Sequence, residues 1–170
     1  VTPRPIAVSA QASQTKVYGN ADPVLGYAVA GDTGPTSRGL VNGDSLIGSL
    51  SRAAGENVGS YLIGQGTLHD ANNPNYSIGW TGANFSITAR PITLTANAVS
   101  KVYGDAEPTL SVSLTAGSLA NVAVSDTLAD VTGTLSRSVG NNVGAYDVLL
   151  GSGAHAFNYD ITYNRSEEHT

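Results

Sequence analysis

The sequence predicts a mostly β protein made of two tandem copies of one module, with little helix. Three observations carry this. Five short blocks recur in the same order at offsets between 83 and 86 residues. Apolar residues inside those blocks alternate with polar ones. The composition, with 20 glycines, abundant Ser, Thr, Asn and Val and only Lys16 and Lys101 as lysines, suits strands joined by tight turns rather than long helices.

The blocks are short but specific. Arg4-Pro5-Ile6 returns as Arg90-Pro91-Ile92, and Lys16-Val17-Tyr18-Gly19-Asn20-Ala21-Asp22-Pro23 as Lys101-Val102-Tyr103-Gly104-Asp105-Ala106-Glu107-Pro108. Leu50-Ser51-Arg52 returns as Leu135-Ser136-Arg137. Gly55-Glu56-Asn57-Val58-Gly59-Ser60-Tyr61 matches Gly140-Asn141-Asn142-Val143-Gly144-Ala145-Tyr146, and Asn75-Tyr76-Ser77-Ile78 matches Asn158-Tyr159-Asp160-Ile161. Between blocks the copies differ in sequence and slightly in length, as loops do.

Each block then predicts an element. Ile6, Val8, Ala10 and Ala12, matched by Ile92, Leu94, Ala96 and Ala98, read as an opening strand with one buried face. Leu25, Tyr27 and Val29 match Leu110, Val112 and Leu114; Tyr61 and Ile63 match Tyr146 and Val148. Tyr76, Ile78 and Trp80 match Tyr159, Ile161 and Tyr163. Phe85 and Ile87 predict a strand that closes the first copy; the second copy has no counterpart, so its last strand is expected to be missing.

The turn motif reads as architecture. Gly19 and Gly104 supply a positive φ, and Pro23 and Pro108 restrict the residue before them to extended conformations. Tyr18 and Tyr103 are expected to bury a ring at the edge of the core with the hydroxyl wet or bonded. Lys16, Tyr18, Gly19, Pro23, Lys101, Tyr103, Gly104 and Pro108 are therefore assigned a structural role.

Composition excludes several function classes. A net charge of -5 gives no basic footprint for nucleic acid. No apolar run approaches a membrane span. Cysteine is absent, which removes disulfides and thiolate chemistry. Val1 in place of Met, with no Met elsewhere, reads as a piece of something longer.

Candidate catalytic and metal-binding residues are few. His69 with Asp70, and His155 without an adjacent acid, are expected to be solvated loop residues, and no Gly-x-Ser-x-Gly nucleophile setting occurs. Asn42-Gly43-Asp44 and Gly104-Asp105-Ala106-Glu107 lack the ladder of a calcium loop, and Asp44 reads as a turn or cap residue. Lys16 and Lys101 could serve intramolecular isopeptide crosslinks, but a solvent-exposed Lys beside a turn is the expected role. Trp80, Tyr27 and Tyr163 fall on the alternating apolar face and read as core rather than as sugar-stacking platforms. No catalytic residue, metal ligand or cofactor is assigned.

The run Lys-Val-Tyr-Gly-(Asn/Asp)-Ala-(Asp/Glu)-Pro, followed by Gly-x-Asn-Val-Gly-x-Tyr and Asn-Tyr-x-Ile, resembles the MBG (mostly β-grasp) repeats of bacterial surface proteins, of the Tyr-Gly-x type. The resemblance covers about residues 4–164. It implies two ubiquitin-like β-grasp modules, residues 1–89 and 90–164, the second truncated. Residues 165–170 (Arg-Ser-Glu-Glu-His-Thr) break from the composition before them and read as a non-native tail.

The family context implies a stalk or spacer in a large bacterial cell-surface or secreted (extracellular) adhesin, a group that includes filamentous-haemagglutinin-like proteins, projecting a distal binding region. Its partners would be neighbouring repeats, with host or surface glycans or proteins engaged through other regions. The rival reading is a carbohydrate- or host-protein-binding module within such an adhesin.

Overall fold

In a computed structural model, residues 1–165 and the backbone of residues 167–169 are described. The chain divides into two compact units: Val1–Lys16 with Asp22–Thr88, and Val17–Ala21 with Ala89–Thr170. Five residues that belong to the first repeat in sequence thus cluster with the second unit.

The strands of the first repeat are β1 (Arg4–Ala10), β2 (Gln14–Val17), β3 (Tyr27–Val29), β4 (Asp32–Gly34), β5 (Ser37–Arg38), β6 (Ser51–Arg52), β7 (Gly59–Gly64), β8 (Tyr76–Thr81) and β9 (Ala83–Thr88). One sheet has the order β3-β1-β8, another β2-β9-β7-β6, and β4 and β5 form a small pair. β1 and β8 run parallel over six residue pairs, from Arg4 against Tyr76 to Ser9 against Thr81. Only Gly82 separates β8 from β9, which pair in different sheets; a single residue is too short to reverse a strand, so the chain passes from one sheet to the other in the same sense.

Alternation places Ile6 and Val8 inward, and with Leu46, Leu68 and Tyr76 they form the core of this unit. Tyr27 and Trp80 pack against that core. Phe85, Ile63 and Ile87 are likewise buried, so the strand expected to close the first repeat does so from its apolar face. The alternation ends earlier than the sequence suggests: β1 stops at Ala10, and Ala12 is exposed in the turn that follows.

The second repeat contributes β10 (Arg90–Ala96), β11 (Val112–Ala116), β12 (Ser136–Arg137), β13 (Ala145–Leu149), β14 (Tyr159–Asn164) and β15 (Glu167–His169). The sheets are β11-β10-β14 and β12-β13-β15. β10 and β14 repeat the parallel pairing, from Arg90 against Tyr159 to Thr95 against Asn164. Ala96, Val112 and Val148 form a core on which Tyr163 packs.

Among the described residues the one α-helix, α1 (Leu128–Thr132), is short and locally specified. Thr127 and Asp130 form a reciprocal capping box, and Gly133 (φ 61°) ends it with its N–H on Ala129 O.

The second repeat corrects the expectation that its last strand is missing. Residues 167–169, set aside as a non-native tail, pair antiparallel with β13, placing Glu168 opposite Tyr146 as Phe85 lies opposite Tyr61. The closing position is therefore filled, by three residues instead of six. Strand pairing needs only backbone donors and acceptors, which the tail offers despite lacking apolar alternation. Ser166 and Thr170 lie outside the described residues.

Candidate functional site

Two repeated constellations stand out, and both grow from the turn motif. In each copy the residue after glycine donates its N–H back to the valine before tyrosine: Asn20 N to Val17 O at 3.1 Å, Asp105 N to Val102 O at 3.0 Å. Gly19 (φ 79°) and Gly104 (φ 91°) occupy the third position, where this turn requires a positive φ. The turn holds the tyrosine at its second position and brings the acid before proline beside the lysine.

The first constellation is an ion-pair cluster. Lys16 Nζ donates to Asp22 Oδ1 at 2.6 Å and to Glu56, and its side chain is 3 % exposed. The expectation of a solvent-exposed lysine is overturned here, because two carboxylates meet the ammonium and allow it to be buried. Arg52 joins the same acids, with Nε on Asp22 Oδ2 at 2.7 Å and Nη2 on Glu56 Oε1 at 2.7 Å. Its guanidinium also lies 5.2 Å from the Tyr61 ring centre and 5.3 Å from that of Phe85.

Hydrogen bonds from Arg52, opposed by burial and reinforced by Lys16, hold the Asp22 carboxyl down at about 2. An ionised carboxylate is a poor acyl donor to an amine, because its carbonyl carbon is a weak electrophile. The arrangement is that of a salt-bridge network rather than of an isopeptide in formation.

The second repeat has a lighter version. Lys101 Nζ donates to Glu107 Oε1 at 2.8 Å and to Asp105 O at 3.2 Å, while Arg137 grips Glu107 with Nε (2.9 Å) and Nη2 (2.7 Å). Asn141 stands where Glu56 stands in the first copy. Hydrogen bonds from Arg137 and Lys101 hold Glu107 at about 2. In both copies the tyrosine of the Gly-x-Asn-Val-Gly-x-Tyr block lies over its glycine, so a Cβ on Gly55 or Gly140 would sit 2.4 or 2.1 Å from the Tyr61 or Tyr146 ring. Pro23 and Pro108 line the clefts beside these clusters.

Arg52 and Arg137 were not singled out from the sequence. They had a signal: an arginine recurring at matched positions in a chain with so few cations needs an acidic partner.

The second constellation is a tyrosine socket within the second unit. Tyr18 is 1 % exposed and donates its hydroxyl to Asp126 Oδ2 at 3.0 Å. Tyr159 donates to the same oxygen at 2.7 Å and accepts from Ala120 N at 3.0 Å. The two rings meet edge to face, 5.5 Å apart. His155 Nδ1 lies 2.6 Å from Asp126 Oδ1. Arg90 Nη1 donates to Tyr18 O (3.0 Å) and Asn20 Oδ1 (2.9 Å), and Gly19 packs so closely that a Cβ there would lie 2.2 Å from Ala120 Cβ.

Burial opposes ionisation of Asp126, but the hydrogen bonds from Tyr159, His155 and Tyr18 outweigh it and hold its carboxyl below the usual range. Burial, then the bond to Asp126, push the Tyr18 hydroxyl up to about 12. His155, expected as a solvated loop residue with no acid adjacent in sequence, keeps a side chain 43 % exposed, but Asp126, 29 residues away, reaches its ring. Tyr103 departs from expectation in the other direction, being 67 % exposed.

The remaining candidates do not converge. Asp70 Oδ1 accepts from Ile78 N at 2.9 Å beside exposed His69, and Asp44 accepts from the Tyr76 hydroxyl. Among the described residues, no group of three or more His, Cys, Asp and Glu could hold a metal ion.

No curated protein and no solved structure matches the chain. A family model does, twice, over residues 6–86 and 92–167. Both segments carry the Tyr-Gly turn, its lysine–acid–arginine cluster and the parallel strand pair described above, and the chain belongs to the MBG domain (YGX type) family.

Proposed function

We propose that this chain is a non-catalytic structural spacer, part of the stalk of a large bacterial cell-surface or secreted adhesin that carries a distal binding region. MBG domains of this type are repeat domains typical of extracellular surface proteins. No helix among the described residues is long and apolar enough to cross a membrane. The partners of the segment are neighbouring repeats, and contact with host or surface glycans or proteins falls to other regions.

The observation that carries this reading is the parallel pairing of β1 with β8 and of β10 with β14, each over six residue pairs. Tension enters a repeat at the start of its first strand and leaves beyond the end of its late strand. In parallel strands those two pulls slide one past the other, so the ladder bonds share the load instead of opening one at a time. The rings of Trp80 and Tyr27, which a sugar-stacking surface would expose, pack on the core.

Single-molecule stretching from the two ends tests the proposal. Two force peaks are expected, each releasing roughly 250–300 Å of chain, the extended length of a module of about 80 residues. Smooth extension without peaks contradicts it, as does glycan binding that a single aromatic substitution abolishes.

A further inference from the structure

We propose that the first unit carries a second tyrosine socket, built on Asp44 and Tyr76, and that its occupant is the Tyr103-Gly104 turn of a second copy of this chain. The inference goes beyond the spacer reading and does not rest on it.

The two sites correspond group by group. Arg90 Nε donates to Ser118 O at 2.7 Å, and Arg4 Nε to Gly39 O at 2.8 Å. Ala120 N donates to the Tyr159 hydroxyl at 3.0 Å, and Val41 N to the Tyr76 hydroxyl at 3.1 Å. Each of those hydroxyls donates in turn to an aspartate, Asp126 or Asp44. Asp126-Thr127-Leu128 and Asp44-Ser45-Leu46 are also the same short motif in sequence.

What differs is the contents. In the second unit Asp126 also receives Tyr18, whereas Asp44 lies on a cavity of about 470 Å3 lined by Val1, Arg4, Val41, Pro74 and Tyr76. That volume accepts a tyrosine ring, and the cavity already holds a carboxylate for its hydroxyl and an arginine for its turn.

The second repeat carries a matching occupant. Tyr103 sits on a turn with the same hydrogen bond and the same positive-φ glycine as Tyr18, yet is 67 % exposed. Asp105 stands where Asn20 stands. Arg90 takes Asn20 Oδ1 in the filled socket, so Arg4 would receive a carboxylate, a charge-assisted contact. Turn and socket are different surfaces, so the contact is head to tail and leaves a turn and a socket open for further copies. The first unit lacks the Val122–Val124 stretch whose Ala123 N holds Gly19 O at 3.1 Å, so this contact is weaker than the one Tyr18 makes.

Sedimentation of the full chain across a wide concentration range tests this. The weight-average mass should rise with concentration for the unaltered chain and stay at the monomer value for Tyr103→Ala and for Asp44→Ala. An equimolar mixture of those two variants should recover a one-to-one dimer, because one keeps the socket and the other the turn. Asp105→Asn should weaken association by roughly two- to fivefold, the size of an exposed charge pair. Tyr103 is exposed, so its truncation leaves the fold intact; circular dichroism checks the same for Asp44→Ala, with Asp44→Asn as the milder variant. A chain that stays monomeric throughout, association that persists in Tyr103→Ala, or a mixture that fails to associate overturns the proposal.

Discussion

Lys16 and Lys101 open the same motif in the two repeats, yet their surroundings differ. Lys16 is sealed between Asp22 and Glu56 with its side chain 3 % exposed; Lys101, 15 % exposed, has Glu107 and a backbone carbonyl. The tyrosines two residues on differ further, Tyr18 being buried against Asp126 and Tyr103 standing in solvent. One motif, with one turn geometry, therefore serves two states. What decides the state is the acceptor that meets it: a second carboxylate for the lysine, a buried aspartate for the tyrosine.

The sharpest way to break this comparison is to make one substitution at both tyrosines. Tyr18→Ala should destabilise the second unit by about 3–5 kcal/mol, the range for emptying an aromatic site, measured by thermal unfolding. Tyr103→Ala should change stability by no more than about 0.5 kcal/mol. Lysine comes next. Lys16→Ala should cost about 1–2 kcal/mol, less than a fully buried pair because Asp22 and Glu56 are 41 % and 35 % exposed, while Lys101→Ala should cost about 0.5 kcal/mol.

Acid separates the units by a different route. Asp22 in the first unit is lowered from 3.8 to about 2, and Glu107 in the second from 4.5 to about 2. A carboxyl whose folded-state value is depressed supports the fold above its unfolded value and loses that support as pH falls through the folded one. The Glu107 contribution therefore begins to fade below about 4.5 and that of Asp22 below about 3.8, with Asp126 adding to the loss in the second unit. Amide spectra recorded down to pH 2 should show the second unit losing dispersion first. The smallest effect is a gain: Asn141→Glu restores the missing carboxylate beside Arg137 and should stabilise the second unit by about 0.5 kcal/mol.

Much of this architecture is legible in the sequence because strand burial has a period of two: Ile6, Val8, Ile92 and Leu94 announced β1 and β10. The duplication follows from the order and spacing of the motifs, and the family from the resemblance those motifs carry, which the family model matches. The sockets were not legible, because Asp126 lies 108 residues from Tyr18 and 29 from His155, and no local pattern encodes such distances. The strand at Glu167–His169 was hidden for another reason: backbone pairing leaves no mark in side-chain composition. The burial of Lys16 could have been anticipated, since Asp22 and Glu56 both lie in repeated blocks, but only the fold brings them to one ammonium.

The most direct test of the two-state motif is residue-resolved solvent labelling, with hydroxyl-radical modification of each tyrosine read by peptide mass spectrometry. Tyr103 should be modified many times faster than Tyr18, and Asp126→Ala should raise the rate at Tyr18 while leaving Tyr103 unchanged. Equal rates at the two tyrosines in the unaltered chain would contradict the account.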